Sequence, residues 1–188
     1  MKQKKIVLVF TGRIGSGKDT ATAFFKERYG AVGFKFSTSM RDIVNRVYME
    51  QSREHLQWVG AAFREHFGED VFAHTVAEDI KSTEATLVIV EGARFINDIK
   101  FVKALPGFAL VAIDVPQETR YQRIIGRREN SDDASKTWDD FVREDVATTE
   151  IEIEKLMKLA SVTIDNNGAK EELFAQLEDL YKNLTHER

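Results

Sequence analysis

The most constraining feature of this sequence is a short apolar run followed at once by a glycine-rich segment that ends in lysine. Residues 6–10 read IVLVF, a pattern typical of a parallel strand that is buried on both faces. Residues 12–20 read GRIGSGKDT and match the spacing G-x-x-x-x-G-K. A helical pattern follows, so the sequence predicts a strand, a phosphate-binding loop and a helix in that order.

Each part of this segment has a physical reason to bind phosphate. Glycines let the backbone turn so that successive N–H groups point at phosphate oxygens, and the positive end of the next helix adds to the attraction. The lysine supplies a full charge for the terminal phosphates. We therefore expect a nucleoside triphosphate to contact a loop made of Gly12, Arg13, Ile14, Gly15, Ser16, Gly17, Lys18, Asp19 and Thr20.

One position of the loop departs from the usual pattern and bears on metal binding. Asp19 follows the lysine where most such loops carry Ser or Thr as a magnesium ligand. Thr20 comes next, and we expect it to contact phosphate and count it as a candidate metal ligand. Two interpretations of Asp19 stay open: it contacts Mg²⁺ directly or through water, or its charge only favours the N-terminus of the helix. Glu91, at the end of a later apolar run, is a further candidate to hold Mg²⁺ through water, and its alternative is an ordinary ion pair.

Apolar runs alternate with helical segments along the whole chain, which predicts an α/β fold. The expected architecture has three layers, with a five-stranded parallel sheet between helices on both faces. The predicted strands are 6–10, 33–36, 86–90, 108–115 and 161–165. The predicted helices are 18–29, 39–50, 53–66, 70–81, 96–104, 117–127, 137–158 and 169–183.

We expect residues 1–188 to form one domain, because this length suits a single core. The helices between the second and third strands interrupt the alternation, and we expect them to be an insertion that binds a phosphate acceptor. A polar stretch after the fourth strand is expected to form a lid. The predicted limits are about 1–36, 83–126 and 159–188 for the core, 37–82 for the insertion and 127–145 for the lid.

Composition narrows the classes of partner and site. The chain is 43% hydrophobic and 31% charged with a net charge of −4, which argues against disorder and against an overall positive field for nucleic acid or membrane. There is no cysteine, so thiolate chemistry is excluded, and the first apolar run is too short for a signal peptide or a membrane span. We expect a cytoplasmic protein, monomeric or homodimeric, that acts on a small molecule.

Arginines occur where a phosphoryl-transfer site would need them. Arg94 lies just beyond the third strand, and open parallel sheets bind ligands at the carboxyl ends of their strands. Arg41 and Arg64 lie in the insertion, where each either binds an acceptor phosphate or is a solvated side chain on a helix face. Arg123 and Arg127 are the candidates to reach the transferring group from the lid, the alternative being a solvated charged loop.

Several motifs resemble those of P-loop kinases that act on nucleoside and deoxynucleoside monophosphates. Residues 53–70, REHLQWVGAAFREHFGED, resemble the acceptor region of phage-type deoxynucleoside monophosphate kinases. Residues 91–98, EGARFIND, are similar to the D-G-x-R segment of those kinases and of uncharacterised archaeal proteins like adenylate kinase and dephospho-CoA kinase, with Glu for Asp. The segment SGKD and the stretch 162–173 also match this group, and the resemblance covers most of the chain.

The resemblance implies roles for particular residues. It makes Arg41, Arg64 and Arg94 contacts of the acceptor phosphate, with Ser37 beside them. It also implies that the loop backbone near the end of the chain contacts adenine, which points to Asn167, Gly168 and Ala169.

The leading hypothesis is a kinase that uses ATP and Mg²⁺ to phosphorylate a nucleoside or deoxynucleoside monophosphate. Lys18, Arg94, Arg123 and Arg127 would be its catalytic residues, and no protein base is needed because the acceptor phosphate is already an anion. The alternative is dephospho-CoA kinase or another small-metabolite kinase, although no acid ends the second strand and only Asp42 is near. A third hypothesis, of another class, is a P-loop ATPase or switch that acts with a partner, and a nucleotide-binding protein without catalysis is a fourth.

Overall fold

Five parallel strands form a single sheet in the order β2-β3-β1-β4-β5. The computed structural model describes residues 5–127, 136–146 and 148–186. The strands are β1 Ile6–Thr11, β2 Val32–Lys35, β3 Leu87–Glu91, β4 Phe108–Asp114 and β5 Val162–Asp165. The fold class that the sequence predicts is therefore confirmed, and each predicted strand is present to within a residue or two.

Helices connect the strands and cover both faces of the sheet. They are α1 Lys18–Tyr29, α2 Phe36–Arg46, α3 Arg53–Phe67, α4 Val71–Ser82, α5 Gln117–Arg127, α6 Trp138–Asp145, α7 Thr148–Met157 and α8 Lys170–His186. None of the helices in the described part of the chain is both long and apolar enough to cross a bilayer.

The alternation of side chains along β1 explains the two cores. Leu8 and Phe10 point to one face, where they pack in a cluster with Phe25 of α1. Val7 and Val9 point to the other face and pack with residues of α4, α7 and the neighbouring strands. Because β1 is central and buried along its whole length, the loop that follows it is anchored on both sides.

All strands run in the same direction, so their carboxyl ends meet at one edge of the sheet. Lys35 pairs in register with Glu91 at the ends of β2 and β3, and Thr11 pairs with Ala112 of β4. The phosphate loop after β1, the segment after β3 and the start of α2 are therefore neighbours at this edge.

Residues 96–104 do not form the single helix that the sequence predicts. Two short 3-10 helices, Ile96–Ile99 and Val102–Ala104, occupy this stretch. The carboxylate of Asp98 accepts hydrogen bonds from the backbone N–H groups of Arg94 and Phe95, at 2.8 and 2.9 Å. These local bonds fix a tight turn, which favours hydrogen bonds between residues three apart over an α-helix.

The predicted helix 137–158 is likewise wrong as one element, because it is divided into α6 and α7. Thr137 and Asp140 form a capping box at the start of α6. Its end is held by the guanidinium of Arg13, which donates to the backbone oxygen of Asp145 at 2.7 Å. A side chain that caps the last carbonyls stops the helix at that point.

The insertion and the lid remain predictions as functional units. Helices α2, α3 and α4 make up the predicted insertion, and α2 begins three residues earlier and ends four residues earlier than the predicted helix 39–50. Residues 128–135, which belong to the predicted lid, and the side chain of Arg127 lie outside the described residues.

Candidate active site

Glycine is required at two positions of the phosphate loop. Gly17 has a φ of 98° and immediately precedes α1. A Cβ there would clash with Nδ2 of Asn166, and a Cβ at Gly12 would lie 2.5 Å from the carbonyl oxygen of Ile113. Only glycine fits such close contacts. The phosphate loop therefore packs directly against β4 and against the loop that follows β5.

The predicted catalytic lysine folds back over this loop. Nζ of Lys18 donates to the carbonyl oxygens of Gly12 and Arg13, at 2.7 and 3.0 Å, and lies 3.3 Å from Oγ of Ser16. Its ammonium group is thus held on the concave side of the loop, at the N-terminus of α1. Both features place positive charge where the phosphates of a nucleotide are expected.

A cavity of about 380 Å³ opens in front of the loop. It brings together four side chains that the sequence singles out, because the loop after β1 and the segment after β3 meet here: Lys18, Asp19, Glu91 and Arg94. Two further polar residues line it that sequence reasoning missed, Thr22 and Glu150. Thr22 lies one turn after Asp19 on α1, so helical spacing was a signal for it, whereas nothing in the sequence points to Glu150 on α7.

The carboxylate of Glu91 forms ion pairs with two lysines. Its Oε1 lies 2.5 Å from Nζ of Lys26 and its Oε2 lies 3.1 Å from Nζ of Lys35, and its side chain is only 15% exposed. The structure therefore shows the ion pair that was the alternative interpretation of this residue. Direct metal ligation by Glu91 would require both pairs to be exchanged.

The three predicted metal ligands are not brought together. Asp19 and Glu91 line the phosphate cavity, whereas Thr20 lines a separate pocket behind the loop. Among the described residues there is no group of three or more His, Asp or Glu side chains that could hold a metal ion by themselves. This arrangement fits Mg²⁺, which proteins commonly bind through one or two carboxylates together with the phosphates of the nucleotide and water.

Behind the loop lies a smaller pocket of about 260 Å³, lined by Gly17, Thr20, Arg123, Asn166 and Gly168 among others. Nδ2 of Asn166 donates to the carbonyl oxygen of Ser16 at 2.8 Å, and Arg123 donates to the carbonyl oxygen of Asn166 at 2.7 Å. The structure thus places Arg123 here and not in the phosphate cavity.

Of the residues that the resemblance assigns to adenine, Gly168 lines this pocket. Asn167 instead accepts a hydrogen bond from the hydroxyl of Thr119, and Ala169 is exposed. Asn166, which is 5% exposed, makes the contact with the phosphate loop. The sequence has two adjacent asparagines here and offered no means of telling them apart.

A buried charge cluster supports the phosphate loop from the side of α5 and α6. Arg120 donates to both carboxylate oxygens of Asp145, at 2.6 and 2.7 Å, and the two residues are 3% and 4% exposed. Arg13 lies 3.2 Å from the same carboxylate and 2.8 Å from that of Glu154. Arg120 also donates to the carbonyl oxygen of Ile14 at 3.4 Å, so the cluster contacts the loop at two successive residues.

The charges of this cluster determine the ionisation of Asp145. Burial by itself raises the pKa of this carboxyl, but hydrogen bonds and the positive charge of Arg120, with a further contribution from Arg13, outweigh it. The pKa of Asp145 therefore lies below its ordinary value, and the group is an anion at neutral pH.

The arginines of the insertion are not part of the phosphate cavity. Arg41 donates to the side-chain oxygen of Gln51 at 2.8 Å. The guanidinium of Arg64 lies 5.3 Å from the centre of the Phe72 ring. Ser37 is in the first turn of α2, two residues after Lys35. Of these three predicted substrate contacts, Ser37 and Arg41 lie on α2 and Arg64 lies on α3, and none of them lines the cavity that contains Arg94.

Fold and site together define a class of protein. A five-stranded parallel sheet with a glycine-rich loop and lysine after its central strand is the P-loop kinase fold. The structural alignment with TT1252 from Thermus thermophilus covers 97% of this chain and 99% of TT1252, with a TM-score of 0.61 and 18% sequence identity. The alignment with a shikimate kinase from Bacteroides thetaiotaomicron covers 95% of this chain and 98% of the shikimate kinase, with a TM-score of 0.61 and 13% sequence identity. At such identities the likeness shows the fold alone.

Sequence comparison places the chain in a family. The chain belongs to the AAA domain family AAA_17, whose model matches residues 11–142. A UPF0200 protein from Saccharolobus islandicus is 29% identical over 178 residues, which is 93% of this chain and 91% of the relative. A UPF0200 protein from Hyperthermus butylicus is 25% identical over 181 residues, 96% of each chain. The resemblance to P-loop kinases and to archaeal relatives is thus confirmed.

Proposed function

We propose that this protein transfers the γ-phosphoryl group of ATP to the phosphate of a nucleoside or deoxynucleoside monophosphate. The observation that carries the proposal is the shared cavity, which is lined by Lys18 and Asp19 on one side and by Arg94 on the other. Phosphoryl transfer depends mainly on bringing donor and acceptor phosphates together among positive charges, and this cavity offers such a place.

The donor side follows from the loop. Its backbone N–H groups and the N-terminus of α1 would bind the phosphates of ATP, and the ammonium group of Lys18 would stabilise charge on the transferring group. Asp19 would hold Mg²⁺, which neutralises phosphate charge when it is bound, because Asp19 lines the cavity and Glu91 is paired with two lysines.

The acceptor side follows from the end of β3. Arg94 is fixed by its backbone, since its N–H donates to the carboxylate of Asp98, while its exposed side chain lines the cavity. A guanidinium there would bind an acceptor phosphate with two parallel hydrogen bonds. Because that phosphate is already an anion, the reaction needs no proton acceptor from the protein.

One observation favours a second candidate, a kinase of a hydroxyl acceptor such as dephospho-CoA. Glu150 lines the phosphate cavity, with Oε2 3.4 Å from the backbone nitrogen of Ile14. A carboxylate at this place would accept the proton of an attacking hydroxyl. Asp42, the acid nearest to the end of β2 in sequence, lines a different pocket between the helices of the insertion.

The test is an assay of ADP release with Mg²⁺ and ATP against ribo- and deoxyribonucleoside monophosphates, dephospho-CoA and no acceptor. We expect stimulation by one or a few monophosphates. Lys18→Ala should reduce that turnover by about a hundred-fold or more, while Lys103→Ala, which removes an exposed lysine elsewhere, should not. Stimulation by dephospho-CoA alone would favour the second candidate, and ADP release that ignores every acceptor would favour an ATPase.

A further inference from the structure

A second pocket, separate from the phosphate cavity, lies between the helices of the insertion. It has a volume of about 430 Å³ and is lined on one side by the aromatic rings of Phe63, Phe67 and Phe72. The rings of Phe63 and Phe72 are stacked, with centres 6.1 Å apart and planes 28° from parallel. A volume of this size with flat apolar walls suits a planar aromatic ligand.

Two carboxylates complete the lining, Asp42 from α2 and Asp79 from α4. Neither forms a hydrogen bond or ion pair with any side chain that the structure describes. Two other acids at the surface of this insertion differ in this respect, since Asp70 pairs with Lys100 and Glu78 with Lys81. Asp42 and Asp79 therefore offer acceptor oxygens to a ligand in the pocket, and a carboxylate can only accept.

The pocket begins close to the phosphate cavity. Nζ of Lys35, the last residue of β2, lies 3.1 Å from Glu91 of that cavity. Ser39, which lines the aromatic pocket, is four residues further along α2, and this corresponds to about 6 Å along a helix axis. The first turn of α2 therefore connects a residue paired at the phosphate cavity with a residue that lines the aromatic pocket.

Arg64 packs against one wall of the aromatic pocket. Its guanidinium lies over the Phe72 ring, and a Cβ on Gly60 would be 3.1 Å from Nη1 of Arg64 and from the sulfur of Met40. Arg64 is thus at the junction of α2, α3 and α4, at the edge of the aromatic pocket.

From this geometry we infer that the aromatic pocket holds the base of the acceptor, and that Asp42 and Asp79 select a base with N–H donors, guanine above all. The inference rests on the proposed function and specifies its substrate class. Guanine presents a ring N–H beside an amino group, and one carboxylate can accept both hydrogen bonds at once. Uracil and thymine place a carbonyl oxygen on each side of their single N–H, so a carboxylate facing them is repelled.

The first experiment measures binding by calorimetry with GMP and UMP, which share the same ribose and phosphate and differ only in the base. We expect GMP to bind about ten-fold more tightly or better. Asp42→Asn and Asp79→Asn should each weaken GMP binding by about ten-fold, whereas UMP binding should stay the same or become tighter, because the charge that repels its carbonyl oxygens is removed. Because both acids are exposed and unpaired, these variants should fold normally, and Asp139→Asn on α6 is the matched control, since that exposed carboxylate also has no side-chain partner among the described residues.

The second experiment measures turnover of GMP, dGMP, UMP and TMP by the same variants. Equal binding of GMP and UMP, or a preference for GMP that survives in the double variant of Asp42 and Asp79, would overturn the assignment of the pocket. The proposed function would still stand if any monophosphate were phosphorylated. GMP binding that depends on both acids without turnover of any monophosphate would support the pocket and refute the proposed kinase activity.

Discussion

The buried carboxylate of Asp145 offers the sharpest test of how the phosphate loop is supported. In Asp145→Asn the side chain keeps its size, but the guanidinium of Arg120 loses its counter-charge while it stays 3% exposed. One of the two hydrogen bonds at 2.6 and 2.7 Å must also be lost, because the amide nitrogen cannot accept.

The expected loss of stability follows from this geometry. Removing one partner of a buried ion pair costs about 3–5 kcal/mol, and since Asn retains one acceptor oxygen we expect about 3 kcal/mol. For a chain of 188 residues each kcal/mol corresponds to about 2–4 °C, so the unfolding midpoint should fall by about 6–12 °C.

Low pH should reduce the stability that the ion pair between Asp145 and Arg120 contributes. The pKa of Asp145 is lower in the folded protein than in the unfolded chain, since Arg120 and Arg13 outweigh its burial. Its contribution to stability is therefore complete above the unfolded pKa of about 4 and is lost as the pH falls through the folded value. Asp145→Asn should flatten this part of the pH dependence.

The assay is thermal unfolding followed by circular dichroism between pH 3 and pH 7, with ATP affinity measured in parallel. Asp139→Asn is the matched control, because Asp139 is an exposed acid of the same helix. The affinity for ATP should fall in Asp145→Asn, since Arg13 and Ile14 of the loop lose their support. Equal midpoints for the two variants at neutral pH would refute the reasoning.

Two further variants test the phosphate cavity itself. Arg94→Ala should raise the KM for the acceptor by about ten-fold or more, with little change in the KM for ATP. The measurement is steady-state kinetics with each substrate varied in turn. A raised KM for ATP with an unchanged KM for the acceptor would mean that Arg94 contacts the donor instead. Glu150→Gln should tighten ATP binding by about three- to ten-fold, because it removes one of three negative charges, with Asp19 and Glu91, that line the cavity. Weaker binding of ATP in calorimetry would contradict that second prediction.

The parts of the fold that the sequence predicted well depend on local patterns. Continuous apolar runs gave the strands, and the helix that begins at Lys18 was correct at both ends, since Gly17 and Gly30 flank it. The chain between Ile96 and Ala104 was mispredicted because its hydrophobic spacing is helical while hydrogen bonds to Asp98 close a tighter turn. Such a local hydrogen bond leaves no periodic signature.

The site divides in the same way. The phosphate loop was evident because its chemistry requires adjacent residues: glycines for the turn, Lys18 for the charge and a strand before them. Glu91 and Arg94 were found because strand ends bind ligands, but the pairing of Glu91 with Lys26 and Lys35 depends on how α1 and β2 pack beside β3.

By itself, therefore, the sequence determined the architecture and the position of the proposed phosphate-binding loop, since both depend on contiguous residues and their periodicity. Only the tertiary structure decided which distant side chains share a cavity with that loop. Glu150 and Asp145 come from helices far along the chain. Asp42 and Asp79 line the same pocket only because α2 and α4 pack together. The physical reason is that contacts between elements depend on packing in three dimensions, which no single stretch of the sequence encodes.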